Sequence, residues 1–237
     1  MSDQDPKALP VQPAQAVRER SLLRNVYLWM TGGLALTAVV ALGVASNPDF
    51  SRTLLSSRFL FFGLLIAEVA LVWFLSARIT TLSPAAAVGG FAAYAVLNGI
   101  TLSVILLAYA RASVANALFV SAGTFAGMSL YAVSTKRDLS RFGTYLLYGL
   151  WGILIASLVN LFLRSPAVQW VLSYAGVALF LGLTAYDTQI IKRWSQEIGD
   201  QAGEADFIRL SILGALKLYL DFINLFLFFL RIVGRRR

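Results

Sequence analysis

The sequence predicts an all-α membrane protein with seven transmembrane helices: three hairpin pairs around a central seventh helix. Of its 237 residues 58% are hydrophobic and 14% charged, with a mean hydropathy of +0.72, too apolar a balance for a soluble domain of this length. Apolar segments long enough to cross about 30 Å of hydrocarbon recur from about residue 25 to the end. The last of them, 214–231, reads GALKLYLDFINLFLFFLR and carries Lys217 and Asp221 one helical turn apart. A charge at membrane depth costs at least a few kcal/mol and persists where it has a partner, water or an ion. That helix is therefore expected inside the others.

Residues 1–24 are polar and hold three prolines, so they are expected to form a disordered cytoplasmic tail ahead of a transmembrane domain over 25–234. No cleavable signal is visible, and the first span reads as an uncleaved anchor. The expected spans are 25–46, 58–79, 84–108, 112–134, 143–163, 167–191 and 210–232. Gaps such as NPDFSRTLLSS at 47–57 and RSP at 164–166 are short, which suggests spans one and two, three and four, and five and six as antiparallel hairpins. The seventh is left for the centre. Gly123 and Gly127 form a G-x-x-x-G, which permits close helix approach and is expected to serve packing within the chain ahead of dimerisation. The connection 192–209, KRWSQEIGDQAGEADFIR, is polar and acidic enough to move relative to the bundle.

Orientation follows from the basic residues. The tail and the second–third, fourth–fifth and sixth–seventh connections hold Lys7, Arg18, Arg20, Arg24, Arg78, Lys136, Arg137, Arg141, Lys192, Arg193 and Arg209. The opposite connections hold Arg52, Arg58, Arg111 and Arg164. This favours a cytoplasmic N-terminus. Arg231, Arg235, Arg236 and Arg237 then fall outside if the seventh segment crosses fully, the expected outcome because it contains no Pro to turn it. The net charge of +8 reads as helix-end charge against anionic lipid, not as a nucleic-acid surface.

The chain lacks cysteine and histidine, which removes thiol chemistry, His-based zinc sites and the usual proton carrier. Any pH sensing falls to carboxylates. No enzymatic role and no cofactor are expected. An intramembrane aspartyl protease of the class with Gly beside its second Asp does not fit, because Phe222 follows Asp221 and Thr188 follows Asp187. The ionisable residues inside the spans or at their inner ends are Glu68, Arg78, Asp187, Lys217 and Asp221. Asp187 and Asp221 come to comparable depth. Two carboxylates at hydrogen-bond distance cannot easily both ionise, so they share a proton. Such a pair would latch the sixth and seventh helices when protonated, and would repel or hold a divalent cation through oxygen when ionised. The alternative is structural pairing: Asp221 with Lys217, and Asp187 with Lys192 or Arg78. Glu68 is either a third carboxylate on the same route or a carboxyl hydrogen-bonded to a neighbouring helix.

AYDTQIIK at 185–192 and LYLDFINLFLFFLR at 218–231 resemble the signature segments of the transmembrane Bax-inhibitor-motif family, the Bax inhibitor-1-like proteins. The bacterial inner-membrane branch is closer, through YLWMTGGLALTA at 27–38, STKRDLSRFG at 134–143 and ASLVN at 156–160. The resemblance implies seven helices with the seventh central, and a proton-sensitive Ca²⁺ leak governed by an aspartate pair falling on Asp187 and Asp221. Two positions depart from the family pattern: Arg78 stands one place early, and Lys217 occupies a site where relatives often carry a small or hydroxyl residue. The leading expectation is a pH-sensitive cation leak, Ca²⁺ foremost, with Glu68, Arg78 and Lys217 as modulators of the path. From another class comes a non-transporting regulator of a membrane protease or a stress response. The expected partners are the lipid bilayer, Ca²⁺ and protons, plus a membrane protease under the second reading.

Overall fold

A computed structural model describes residues 13–197 and 203–235. Eight α-helices follow in order: α1 Pro13–Ala45, α2 Pro48–Ser56, α3 Arg58–Arg78, α4 Pro84–Ala108, α5 Arg111–Ser134, α6 Gly143–Leu163, α7 Pro166–Glu197 and α8 Glu204–Val233. All but α2 are long and apolar enough to cross a membrane. Among the described residues there is no strand. The chain is thus an all-α, multi-pass membrane protein.

Starts and stops follow local chemistry. Asn47 and Ser57 accept amide hydrogens in the first turns of α2 and α3, and Ser83 does the same ahead of Pro84 at the head of α4. These side chains satisfy amides that the helix itself cannot. The helix α2 falls in a gap expected as plain connection; its cap and N-terminal Pro are the signal for it. Residues 13–24, expected as disordered tail, form the first turns of α1, consistent with the helix formers in AQAVRERSLLR; residues 1–12 lie outside the described part. The mobile connection expected at 192–209 shortens to 198–203, because α7 runs on to Glu197 and α8 begins at Glu204. Residues 198–202 are not among those described.

The seventh span is the core. In α8, 67% of the apolar span is buried, against 11% in α3 and none in α6. It packs on α1, α4, α5 and α7, while α3 leans on α4 and α6 on α7. Gly214 lets α1 and α7 close on α8: a Cβ there would lie 2.8 Å from Val26 Cγ2 and 3.2 Å from Ile191 Cδ1. Tyr219, fully buried, meets Phe91 and Tyr94 edge-on at ring distances of 5.8 and 5.6 Å.

Of the three expected hairpins, α6 with α7 forms, and the other two do not. The partner of α1 is α4, not α3, and α5 lies against α7 and α8, not against α4. A short connection sets antiparallel direction but not lateral contact. Here α2 spaces α1 from α3, and the end of α8 wedges into the α4–α5 turn: the Ala110 amide donates to Arg235 O at 3.0 Å, and the Arg235 amide to Ser113 Oγ at 3.0 Å. That contact also places the end of α8 opposite the α3–α4 turn, where Arg209 near its start donates to Leu82 O at 2.7 Å. The last helix therefore runs the full length of the bundle. The close packing expected at Gly123 and Gly127 is absent, since nothing lies within 4 Å of a Cβ at either; this stripe faces away from the bundle.

The α5–α6 connection is clasped to the end of α7. The Leu139 amide donates to Gln189 Oε1 at 2.7 Å, Gln189 Nε2 donates to Arg137 O at 2.8 Å, and Arg193 bonds Asp138. Replacing Gln189 by Leu leaves both backbone groups unpaired. The expected cost is about 2 kcal/mol, read as a lowered thermal midpoint in detergent, and an unchanged midpoint would count against the clasp. Hydrogen bonds from the Ser140 hydroxyl and amide, then from Arg193, hold Asp138 down at about 2. Its folded value lies below the unfolded one, so its contribution is present above about pH 4 and lost as pH falls toward 2. Asp138 therefore carries no titration near neutrality.

Candidate functional site

Helical rotation of about 100° per residue sorts the polar residues of α8 onto two faces. Lys217 and Asp221, four apart, share the face toward α7, whereas Tyr219 between them points toward α1 and α4. Each face carries its own cluster.

The first cluster is the aspartate cavity, about 740 Å³ in volume, bounded by the start of α6, the second half of α7, the middle of α8 and the end of α3. Asp187, Lys217, Asp221 and Asn224 all line it, with Ser76, Thr144 and Tyr186. Both acids are buried. Lys217 Nζ lies 3.2 Å from Asp187 Oδ1. Asp221 Oδ2 is enclosed, with no hydrogen-bond partner among the described residues. Nearby, Asn224 Nδ2 turns back to Leu220 O at 2.8 Å. The cavity thus brings together one ammonium and two carboxylates, and the ammonium is committed to one of them.

This arrangement answers part of the pairing question. The lysine bonds the acid across the helix interface, not the acid on its own helix. Lys192 instead reaches Val133 O at 3.1 Å. Arg78 is exposed and does not line the cavity. Asp187 and Asp221 share the cavity without a hydrogen bond between them.

The second cluster runs through the other face. Glu68 on α3 accepts from Thr101 Oγ1 at 2.6 Å and from Asn98 Nδ2 at 3.4 Å, both on α4. Tyr219 donates to Asn98 Oδ1 at 3.0 Å, its oxygen lies 2.6 Å from Thr37 Oγ1, and Thr37 donates to Ala95 O at 2.9 Å. Glu68 is therefore hydrogen-bonded to a neighbouring helix, one of its two expected roles, and does not line the aspartate cavity. Reading charges alone missed Asn98, Thr101, Thr37 and Tyr219. The available signal was a Tyr two residues before Asp221, on the opposite face of a buried helix. Replacing Tyr219 by Phe breaks the chain between α1, α4 and α8. Interhelical hydrogen bonds in membranes average below 1 kcal/mol, but here Asn98 Oδ1 loses its donor, so about 1–2 kcal/mol is expected. A thermal melt of the purified variant that matches wild type would remove this network from the stabilising set.

A bundle of seven spanning helices, closed around a last helix that carries buried charge, defines the class: a multi-pass membrane protein with an ionisable centre. The profile of the family described as "Inhibitor of apoptosis-promoting Bax1" matches residues 19–237, and the chain belongs to this Bax inhibitor-1 family. It is 48% identical over 227 residues to the inner membrane protein YbhL of Escherichia coli (strain K12), covering 96% of each chain. An uncharacterized protein of Deinococcus radiodurans is 45% identical over 219 residues, covering 92% of this chain and 91% of its own. One from Borreliella burgdorferi is 39% identical over 219 residues, covering 92% and 94%.

Proposed function

We propose that this protein is a pH-regulated cation pathway, Ca²⁺ foremost, in the bacterial inner membrane, closed when Asp187 and Asp221 share a proton. The observation that carries the reading is the unbalanced charge of the aspartate cavity. Two carboxylates face one lysine, which bonds Asp187 and leaves Asp221 Oδ2 without a partner. Inside a membrane the remaining negative charge needs a counter-charge, and a proton and a passing cation compete for it. The name of the Escherichia coli relative supports the inner membrane, and the basic-residue count supports a cytoplasmic N-terminus. The aspartate cavity then opens near the cytoplasmic face.

Closure exchanges one partner for another. With Asp221 protonated, its hydroxyl donates to Asp187 and draws α8 onto α7. Once both acids ionise, Lys217 holds Asp187 while Asp221 is left to a cation. No group of three or more His, Cys, Asp or Glu converges among the described residues, and a tight Ca²⁺ site takes six to eight oxygens. The pair therefore suits passage, not storage. Flux into proteoliposomes is the test: Ca²⁺ entry above that of empty vesicles, falling as the pH is lowered from about 8 to about 5 and the pair takes up its shared proton. Absence of flux at every pH, with a membrane protease co-purifying instead, would overturn the pathway in favour of a regulatory role.

A further inference from the structure

At the opposite end of the bundle, α1, α4, α5 and α8 leave a groove that the aspartate cavity does not reach. Its deep part is a cavity of about 220 Å³ walled almost wholly by carbon, from Leu34 on α1 to Phe222 and Phe226 on α8. A wider cavity of about 680 Å³ continues from it, sharing Leu106 and Leu118, and ends at Ser46 and Arg111. From Ser46 back to Leu34 along α1 is roughly 18 Å at helical rise, close to the roughly 15 Å of hydrocarbon in one leaflet. The groove therefore has the length of an acyl chain and runs in the direction one takes.

The rim supplies a charge to match. Arg111 is exposed and makes no ion pair or side-chain hydrogen bond among the described residues. It opens α5, whose cap residue Ala110 offers no side chain to the first amides, so a helix N-terminus adds positive potential beside the guanidinium. From α2 to the first residue of α3, at the start of α5 and between α6 and α7, this membrane face carries Arg52, Arg58, Arg111 and Arg164 against one acid, Asp49.

We propose that this groove binds one anionic glycerophospholipid, its phosphate on Arg111 and an acyl chain along Phe222 and Phe226. Because those rings sit on α8 beside Asp221, the lipid packs on the helix that carries the aspartate cavity. The site stands independently of any transport role. Its test is native mass spectrometry of the full chain in detergent, titrated with dioleoylphosphatidylglycerol or dioleoylphosphatidylcholine. A single saturable adduct is expected, about tenfold tighter for the anionic lipid. Arg111→Gln should reduce phosphatidylglycerol to the phosphatidylcholine level, and Ala38→Trp, which fills the groove, should weaken both. Arg164→Gln, on the same face but away from the groove, should bind as wild type. Equal affinity for the two lipids, undiminished phosphatidylglycerol binding in either groove variant, or equal loss in Arg164→Gln would overturn the proposal. Should Arg111→Gln lose its helical circular dichroism, Ala38→Trp decides alone.

Discussion

With Asp221 replaced by asparagine, the reconstituted protein is expected to pass Ca²⁺ at one low rate from about pH 5 to pH 8, where wild type gains flux as pH rises. The amide is the size of the carboxyl and cannot ionise. Its Nδ2 can donate to Asp187 as a protonated acid would, so the substitution imitates the protonated pair at every pH. A single titrating proton changes occupancy by up to about tenfold per pH unit, and the variant should lose that slope. Stability should hold, because removing a buried charge that lacks a partner is neutral or favourable. A variant with the wild-type pH profile would remove Asp221 from the gate. Asp187→Asn is the complementary case: it frees Lys217 from the ion pair seen at 3.2 Å and should also flatten the profile.

How far the primary structure foretold this arrangement depends on the kind of information needed. Span positions were legible because the hydrocarbon imposes a length and a composition, and α3 to α6 fall within a residue of their expected limits. The central place of α8 was legible because Lys217 and Asp221 are costly against lipid. Lateral neighbours were not. Apolar faces gain little from one another that lipid does not also offer, so shape and small residues decide which helices touch. That is why α1 settled on α4, where Gly99 faces Thr37 O with a would-be Cβ at 2.8 Å, while Gly123 and Gly127 in the familiar spacing met nothing.

The site was half legible for the same reason. Asp187 and Asp221 announced themselves by charge, but the choice of Lys217 between two acids did not. Its own-helix neighbour was four residues away, and the winning partner sat on another helix at a distance that only the α7–α8 packing sets. Glu68 shows the converse. Its depth suggested a place on the ion route, yet Thr101 and Asn98 each present a donor from α4, and hydrogen-bonding groups of that kind are ordinary residues until a structure aligns them.

Lys217 is where the charge argument is most exposed to test. Replacing it by methionine keeps the length of the side chain and removes the ammonium, so two acids face each other with nothing to balance either. Breaking a buried ion pair costs about 3–5 kcal/mol. The lysine side chain is 37% exposed, and water screening brings the expected loss nearer 1–2 kcal/mol. The sharper consequence is in stoichiometry. Under the proposed gating, wild type has one uncompensated charge and closes with one proton; the variant has two and can take two protons or one divalent cation. Its Ca²⁺ flux should therefore be larger at high pH and fall more steeply on acidification, with a slope approaching two protons instead of one. Plotting the logarithm of flux against pH for wild type and Lys217→Met in the same vesicles separates the cases. Parallel curves displaced along the pH axis would mean that the lysine tunes the acids from outside the gate, and that the cavity's charge is balanced by a group other than the ammonium beside Asp187.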